Sequence, residues 1–448
     1  MAKNYKIDMT EGKLLPKILV FSFPLMLSSI LQLLFNAADV IVVGQFAGSQ
    51  ALAAVSSTGA LIMLITNLFI GLSIGANVIV ARNIGAGKVH ETSVTVSTSM
   101  IIAAFGGIIL TFAGFFLARP LLELMSSPEN VIDLSTLYLK IYFFGMPGTL
   151  LYNYGASILR AQGDTKRPLY YLSLAGVLNV IMNLFFVIVM KMSVAGVALA
   201  TILSQYVSCF LVVRCLCTDT GAVHFNLKHP EFDMSTFVSI IKIGLPAGLQ
   251  GTVFSLSNVV IQASINGFGS VVMAGNGAAS NIEGFVYVAM NAFYQACLTF
   301  TGQNLGAGKR ERINSILYTC IACVTVTGLI LGIGAWAAGP VLLRIYSSDP
   351  EVIAAGQIRL SYICKLYCLC GIMDVLVGAI RGLGSSVVTM IISLVGACLL
   401  RLLWIATIFK IFHTIGNLYL SYPVTWLITG AAQYIYYRIL KKKIDQTA

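Results

Sequence analysis

A chain of 448 residues that is 58% hydrophobic and only 10% charged is not an ordinary soluble domain, in which about a quarter of residues carry charge. Its net charge of +11, from 28 Lys and Arg against 17 Asp and Glu, does not call for nucleic acid, because the cytoplasmic loops of membrane proteins collect Lys and Arg. No cleavable signal peptide is evident, since the first apolar run is too long and lacks a small-residue cleavage site after it.

Apolar runs at 16–43, 51–80, 93–117, 131–157, 168–190, 193–216, 235–264, 272–300, 314–337, 352–380, 386–409 and 415–438 are separated by short breaks marked by Gly, Pro or charge. A helix needs about 20 residues to cross a bilayer, so the pattern predicts an all-α polytopic membrane protein of twelve transmembrane helices. A barrel is excluded because nothing alternates with period two over strand-length runs. The first run is more than an anchor. Pro24 removes a backbone donor and invites a kink. Ser28, Gln32, Asn36 and Asp39 follow spacings of four, four and three, which puts them on one face of a helix. A carboxylate at Asp39 costs roughly 2.5–3.5 kcal/mol on insertion scales, so this helix reads as the wall of a cavity.

Basic residues gather in alternate loops: Lys6, Lys13 and Lys17, then Arg82 and Lys88, Arg160, Lys166 and Arg167, then Lys309, Arg310 and Arg312, Arg381, and last Arg438 with Lys441 to Lys443. The positive-inside rule then places both termini in the cytoplasm. The chain is also duplicated. Ala81–Lys88 (ARNIGAGK) recurs as Gly302–Lys309 (GQNLGAGK), a shift of 221 residues. Within one residue, the same shift relates Pro24 to Pro246, Asn36 to Asn258, Ser126-Ser127 to Ser347-Ser348, Asn153 to Asp374, and Arg160-x-x-Gly163 to Arg381-x-x-Gly384. Two six-helix lobes, 1–216 and 235–448, joined by a polar cytoplasmic linker at 217–234, are expected. With an even number of helices in each, they are related by a pseudo-two-fold axis along the membrane normal, and such repeats place substrate at their interface.

Several motifs dissolve on inspection. The GAGK loops lack the spacing and the Ser or Thr of a phosphate loop and read as tight turns. Gly71-Leu-Ser73-Ile-Gly75 fits a hydrolase nucleophile pattern, but it lies mid-helix, where small residues serve packing. His90, His224, His229 and His413 have no metal-ligand spacing, and Cys320-x-x-Cys323 is mid-helix without a second pair. No enzyme signature survives.

The intramembrane charges remain. Asp39, Glu283 and Asp374 are the acids, with Lys140, Lys365 and Arg401 as basic counterparts. Glu283–Arg401, Asp374–Arg401 and Asp374–Arg381 are each possible structural pairs. Asp39 has no obvious cation in its own half. Its candidate neighbours are amides and hydroxyls: Asn153, then Asn179 and Asn183 one turn apart, then Thr201 and Gln205 one turn apart. A carboxylate in such company is poised to take up H⁺ or Na⁺, because burial favours its neutral form and oxygen ligands suit a hard cation.

These residues resemble the multidrug and toxic compound extrusion (MATE) transporters of the bacterial type over essentially the whole chain. The carriers are Pro24 with Asp39, the paired GAGK loops, Leu159-Arg-Ala-Gln-Gly-Asp-Thr-Lys166, Asn179-x-x-x-Asn183 and Asp374. The resemblance implies a V-shaped cavity between the lobes, and secondary efflux of organic, often cationic, drug-like compounds against H⁺ or Na⁺, by a monomer in the cell membrane. It implies a cation site of Asp39, Asn153, Asn179, Asn183 and Thr201, with Na⁺ as a possible occupant, and a hinge at Pro24. Asp374 matches an acid of the second-lobe site, where Glu283 and Arg401 are further candidates. Gln32, Asn36, Gln205 and Asn258 are candidates for the substrate cavity. No cofactor is implied; H⁺ or Na⁺ is cargo. The chain departs from the pattern at Thr252-Val-Phe-Ser255, where one branch carries a carboxylate, and at Asn183, where archaeal members carry an acid. Either Glu283 substitutes in the second lobe or H⁺ acts through Asp39 alone. A flippase for a lipid-linked saccharide is the alternative; it would line its cavity with basic residues to hold a pyrophosphate. A membrane enzyme or channel is a third reading, opposed by the absence of a catalytic constellation and by the duplication.

Overall fold

The computed structural model describes residues 5–125 and 128–446, so the Ser126-Ser127 member of the repeat lies outside the described residues. The chain is all helix. α1 spans Leu14–Phe46, α2 Ser49–Gly85 and α3 Val89–Leu124. α4 is broken at Gly145 into α4a (Glu129–Phe144) and α4b (Met146–Ala161). α5 (Lys166–Leu184) runs on through a π-helical turn at Phe185–Val189, and α6 spans Ser193–Thr218. The second repeat follows with α7 (Met234–Asn266), α8 (Ser270–Gly306), and α9 (Glu311–Ala337) with a short extension at Gly339–Arg344. α10 is bent by 46° between α10a (Pro350–Ile363, continued by a 3₁₀ turn to Leu366) and α10b (Cys368–Gly382). α11 covers Ser386–Ile411 with a π-helical segment at Leu394–Leu399, and α12 spans Ile415–Gln446.

Among the described residues, eight helices are each long and apolar enough to cross a membrane, nine when the two halves of α10 count as one span. The remaining three segments of the twelve-helix fold are α4, interrupted at Gly145, and the more polar α8 and α12. Apolar side chains point outward in helical stripes, as at Phe105, Ile109, Phe112 and Phe116 on α3, each at least 60% exposed. Such a surface belongs in lipid. The chain is a polytopic membrane protein.

The duplication is written in the backbone. Gly48, Gly87 and Gly163 have φ of 89°, 70° and 91°, and their counterparts Gly269, Gly308 and Gly384 have 94°, 71° and 92°. A left-handed conformation is open to Gly without the Cβ clash other residues meet, so each repeat turns before its second helix, after it, and after its fourth at a residue chosen for that freedom. The GAGK motifs are these tight turns: the amide of Lys88 donates to Asn83 O at 3.0 Å and that of Lys309 to Asn304 O at 2.9 Å. Asp164 and Asp233 begin helices. The first accepts from the amides of Lys166 and Arg167 at 3.1 and 3.0 Å. The second accepts from the Thr236 amide at 2.6 Å, and its bonds to Thr236 hold its carboxyl below the usual range.

The chain resolves into two compact units. One comprises residues 1–8 and 27–248; the other comprises 9–26 and 249–448. Their boundaries fall inside α1 and α7, each two residues past the helix-interior proline, Pro24 or Pro246. Residues 217–233 lie within the first unit.

Close helix crossings hold each unit together. In the first, α2 lies against the start of α7 through glycines: a Cβ on Gly71 would sit 2.2 Å from the Gly248 nitrogen, and one on Gly75 2.3 Å from the Ile240 carbonyl oxygen. Ser73 between them gives its hydroxyl to the Ile70 carbonyl at 2.7 Å. The motif at 71–75 is packing. In the second unit α8 meets α10a at Gly275, whose added Cβ would lie 2.7 Å from the Gly356 nitrogen, and meets α10b where Gly378 lies against the Tyr294 carbonyl. All ten cysteines are free, and Cys320 and Cys323 are buried.

Because backbones rather than side-chain ends oppose Gly75, Gly75→Ala is expected to destabilise by about 1–3 kcal/mol through overpacking. A lower melting temperature of the purified protein reports this. Gly277→Ala, at a position with open space around it, is expected to lower nothing.

Candidate ion and substrate site

In the first unit the polar face of α1 closes a cavity of about 100 Å³ with α4b, α5 and α6. Its walls include Gln32, Asn36, Asp39, Asn153, Asn179, Thr201 and Gln205, so the residues picked out by one-face spacing on separate helices meet at one place. Asn183 lies one turn beyond Asn179 and donates its amide Nδ2 to Asp39 Oδ1. The same Nδ2 reaches Asn179 Oδ1 at 3.3 Å, and Asn179 Nδ2 reaches Thr201 Oγ1 at 3.4 Å. Thr201 also lies within hydrogen-bonding reach of Asp39, while its hydroxyl donates to the Val197 carbonyl at 2.9 Å. A hydroxyl has one proton to give, so Thr201 serves Val197 or Asp39 but not both at once.

Burial grades inward along this chain of groups. Asn36 is exposed and Asp39 half-buried, whereas Asn179 is 5% exposed and Asn183 fully buried. The other end of the Asn183 amide, Oδ1, is buried without a hydrogen-bond partner. An unsatisfied buried acceptor costs about 1–3 kcal/mol, and here it sits on the residue that holds the carboxylate. Asp39, Asn183 and Thr201 together offer oxygen donors and no cationic competitor, which fits a proton or a hard monovalent cation. Among the described residues no group of three or more His, Cys, Asp or Glu could hold a metal.

Sequence spacing missed part of this wall. Thr149, one turn before Asn153, touches Gln205 through its hydroxyl, and its carbonyl accepts from Asn153 Nδ2 at 2.8 Å. Behind it, Tyr138 and Tyr142 stack with centroids 5.9 Å apart, close enough to Asp39 to feel its charge. The i−4 relation of Thr149 to Asn153 was a usable signal. The tyrosines lay among ordinary aromatic residues of α4 and gave none.

The second unit is built differently. A cavity of about 320 Å³ is lined by Asn258, Asn276, Glu283, Tyr287, Arg359 and Trp426, among others. Glu283 is paired with neither Arg401 nor any other expected cation. Its partner is Arg359, whose Nε and Nη2 donate to the two carboxylate oxygens at 2.8 and 2.7 Å. The third guanidinium nitrogen gives to Asn276 Oδ1 at 2.6 Å, and that oxygen also accepts from Tyr419 at 3.2 Å. The glycine contact at Gly275 and Gly356 explains the pairing, because it brings α8 and α10a close just where Asn276 and Arg359 follow. Arg401 instead lies 4.1 Å over the Tyr422 ring and donates to Thr425 at 3.1 Å. Asp374 meets neither Arg401 nor Arg381 as an ion pair. Arg381 gives Nη1 and Nη2 to Tyr294 and Gln250, both at 2.8 Å, and acts on Asp374 only through space, while Tyr287 lies within hydrogen-bonding reach of that acid. Lys140 and Lys365 cover aromatic rings, Phe115 at 4.8 Å and Trp336 at 3.7 Å.

A lipid-embedded, duplicated helical protein with a polar ion-sized cavity in one repeat has the construction of a transporter. The profile of the MatE family matches residues 24–185 and again 246–407, once in each repeat. The chain belongs to this family, the multidrug and toxic compound extrusion transporters. YpnP of Bacillus subtilis, a probable multidrug resistance protein, is 29% identical over 432 residues, covering 96% of each chain. An FAD transporter of Shewanella oneidensis is 26% identical over 426 residues, covering 93% of each. A crystal structure of a MATE protein in complex with MaL6 superposes with a TM-score of 0.92 over 100% of both chains at 20% identity, which establishes the fold.

Removing one partner of a buried ion pair leaves an uncompensated charge and typically costs about 3–5 kcal/mol, whereas replacing both by apolar groups is often neutral. Arg359→Met is therefore expected to lower the melting temperature strongly, and Glu283→Leu/Arg359→Met to recover most of the loss. A double-mutant cycle in detergent measures this.

Proposed function

We propose that the protein is a secondary multidrug efflux antiporter of the cell membrane, exporting drug-like organic compounds in exchange for H⁺ or Na⁺ by alternating access. The observation that carries this reading is the pairing of Asp39 with Asn183, whose own carbonyl oxygen is buried and unpartnered. A proton arriving on Asp39 creates a donor for that oxygen; a Na⁺ between the two uses both as ligands. Either cargo removes the charge that Asn183 and Thr201 serve, and Thr201 returns its proton to Val197. Asp39, Asn153, Asn179, Asn183 and Thr201 form the coupling site in this reading, with Gln32, Asn36, Gln205 and Asn258 on the substrate path.

Pro24 is the proposed hinge. Its support is that the compact units exchange α1 two residues beyond it, as they exchange α7 two residues beyond Pro246. A bend there is inexpensive because proline has already removed one intrahelical bond. In the second unit, Glu283 is held on both oxygens by Arg359 and is assigned a structural part. Asp374, within hydrogen-bonding reach of a tyrosine and free of an ion pair among the described residues, is kept as the second-lobe candidate, as is Arg401, which lies over the Tyr422 ring. The repeats 1–216 and 235–448 act as the two lobes, with 217–234 as the cytoplasmic linker, both termini in the cytoplasm, and the monomer as the working unit.

The chain's relatives support small-molecule cargo: one is a probable multidrug resistance protein and another an FAD transporter. The flippase alternative calls for cationic side chains to hold a pyrophosphate. The first cavity offers amides, hydroxyls and one acid, and the arginine of the second is already taken by Glu283. The efflux reading fits both.

Ethidium efflux from proteoliposomes with an imposed H⁺ gradient, and separately a Na⁺ gradient, tests the proposal. One gradient is expected to drive efflux by the wild-type protein, and Asp39→Asn to abolish the response while leaving the melting temperature close to wild type. Gradient-driven efflux by Asp39→Asn at the wild-type rate would refute the assignment.

A further inference from the structure

At the basic end of the second unit a cavity of about 580 Å³ opens between the start of α9 and the end of α12. Asn314 and Tyr318 line it from α9; Arg438, Ile439, Lys441 and Lys442 line it from α12. The ion-coupling site uses none of these residues. On α12, Ile435, Arg438, Ile439 and Lys442 follow a spacing of three, one and three, so they share one helix face. Ile435 and Ile439 are 60% and 61% exposed, an outward apolar pair of the kind that suits acyl chains. The two cations stand on the same face at the point where the apolar run of α12 ends.

The polar groups of the cavity are arranged rather than scattered. Tyr318 and Tyr434 share a hydrogen bond of 3.0 Å across the two helices, and Arg438 Nη1 donates to Tyr434 at 3.1 Å. That leaves four of the five guanidinium N–H donors for other acceptors. The buried Lys441 is neutralised by Asp445, whose carboxylate oxygens lie 2.5 and 2.6 Å from its ammonium. Tyr437 donates to Asn314 Oδ1 at 2.7 Å, which turns the donor end of that amide to other use. With Asp445 cancelling Lys441, the lining keeps the charges of Arg438 and Lys442. Tyrosines with hydroxyls at one depth mark the headgroup level of a bilayer, and basic pockets between helix ends at that level suit anionic headgroups.

We infer that this cavity binds the phosphodiester headgroup of an anionic phospholipid, with Arg438 and Lys442 on the phosphate and the acyl chains along Ile435 and Ile439. The continuity of the cationic pair with a lipid-facing stripe selects a lipid over a soluble phosphate, which would use the charges but not the isoleucines.

The test is native mass spectrometry of the purified full-length protein, titrated with phosphatidylglycerol and with phosphatidylcholine of the same acyl chains. Wild type is expected to retain phosphatidylglycerol preferentially. Arg438→Gln and Lys442→Gln should each weaken that retention by about fivefold, the scale of one basic residue at an anionic surface. Phosphatidylcholine retention and the melting temperature should not change, Arg438→Lys should keep most of the preference, and Lys228→Gln, on an exposed loop, should keep all of it. Wild-type preference in the Arg438→Gln/Lys442→Gln double variant would overturn the inference. So would displacement of the lipid by equimolar glycerol phosphate, which would identify a soluble phosphate as the ligand.

Discussion

The structure depends on one constraint: a carboxylate placed among apolar helices must be served by neutral groups, because among the described residues no cation is built in beside it. Asp39 meets that constraint through the Asn183 amide; Asn183 also reaches Asn179, and Asn179 in turn reaches Thr201. Every link is an amide or a hydroxyl, and such groups serve a charged or a neutral carboxyl by rotating. An arginine in the same place would have fixed the charge for good. The second unit shows that outcome at Glu283, gripped on both oxygens by Arg359. Two buried acids in one chain thus have opposite fates, set by what packs against them.

The duplicated backbone explains how such different sites arise on one frame. The positive-φ glycines recur from one repeat to the next at the same turns, so the helices start and stop alike. The side chains facing each cavity have diverged. In the first unit the space is about 100 Å³, on the scale of an ion with a few waters. In the second it is about 320 Å³ and walled by Tyr287, Tyr367, Tyr422 and Trp426, approaching the size of small-molecule pockets.

Much of this was legible in the sequence. A twelve-helix count follows from run lengths, and duplication follows from the repeated GAGK turns. The cluster around Asp39 follows from polar residues three or four apart on helices that had nothing else to do with them. The Glu283 partner was not legible. Choosing among cations requires knowing which helices cross closely, and that was decided by Gly275 and Gly356, residues with no charge to betray their importance. The extents of the compact units were equally hidden. The polar stretch at 217–234 marks a connection in the chain, whereas packing assigns residues 9–26 and 235–248 away from the bulk of their own repeats.

The central claim is that Asp39 exchanges its small positive partner. Infrared difference spectroscopy of the protein in liposomes, stepped in pH and separately in Na⁺, observes that group directly. The account predicts a carboxyl signal that responds to one of the two ions and is missing from the Asp39→Asn difference spectrum. Identical difference spectra for wild type and Asp39→Asn under both steps would contradict it.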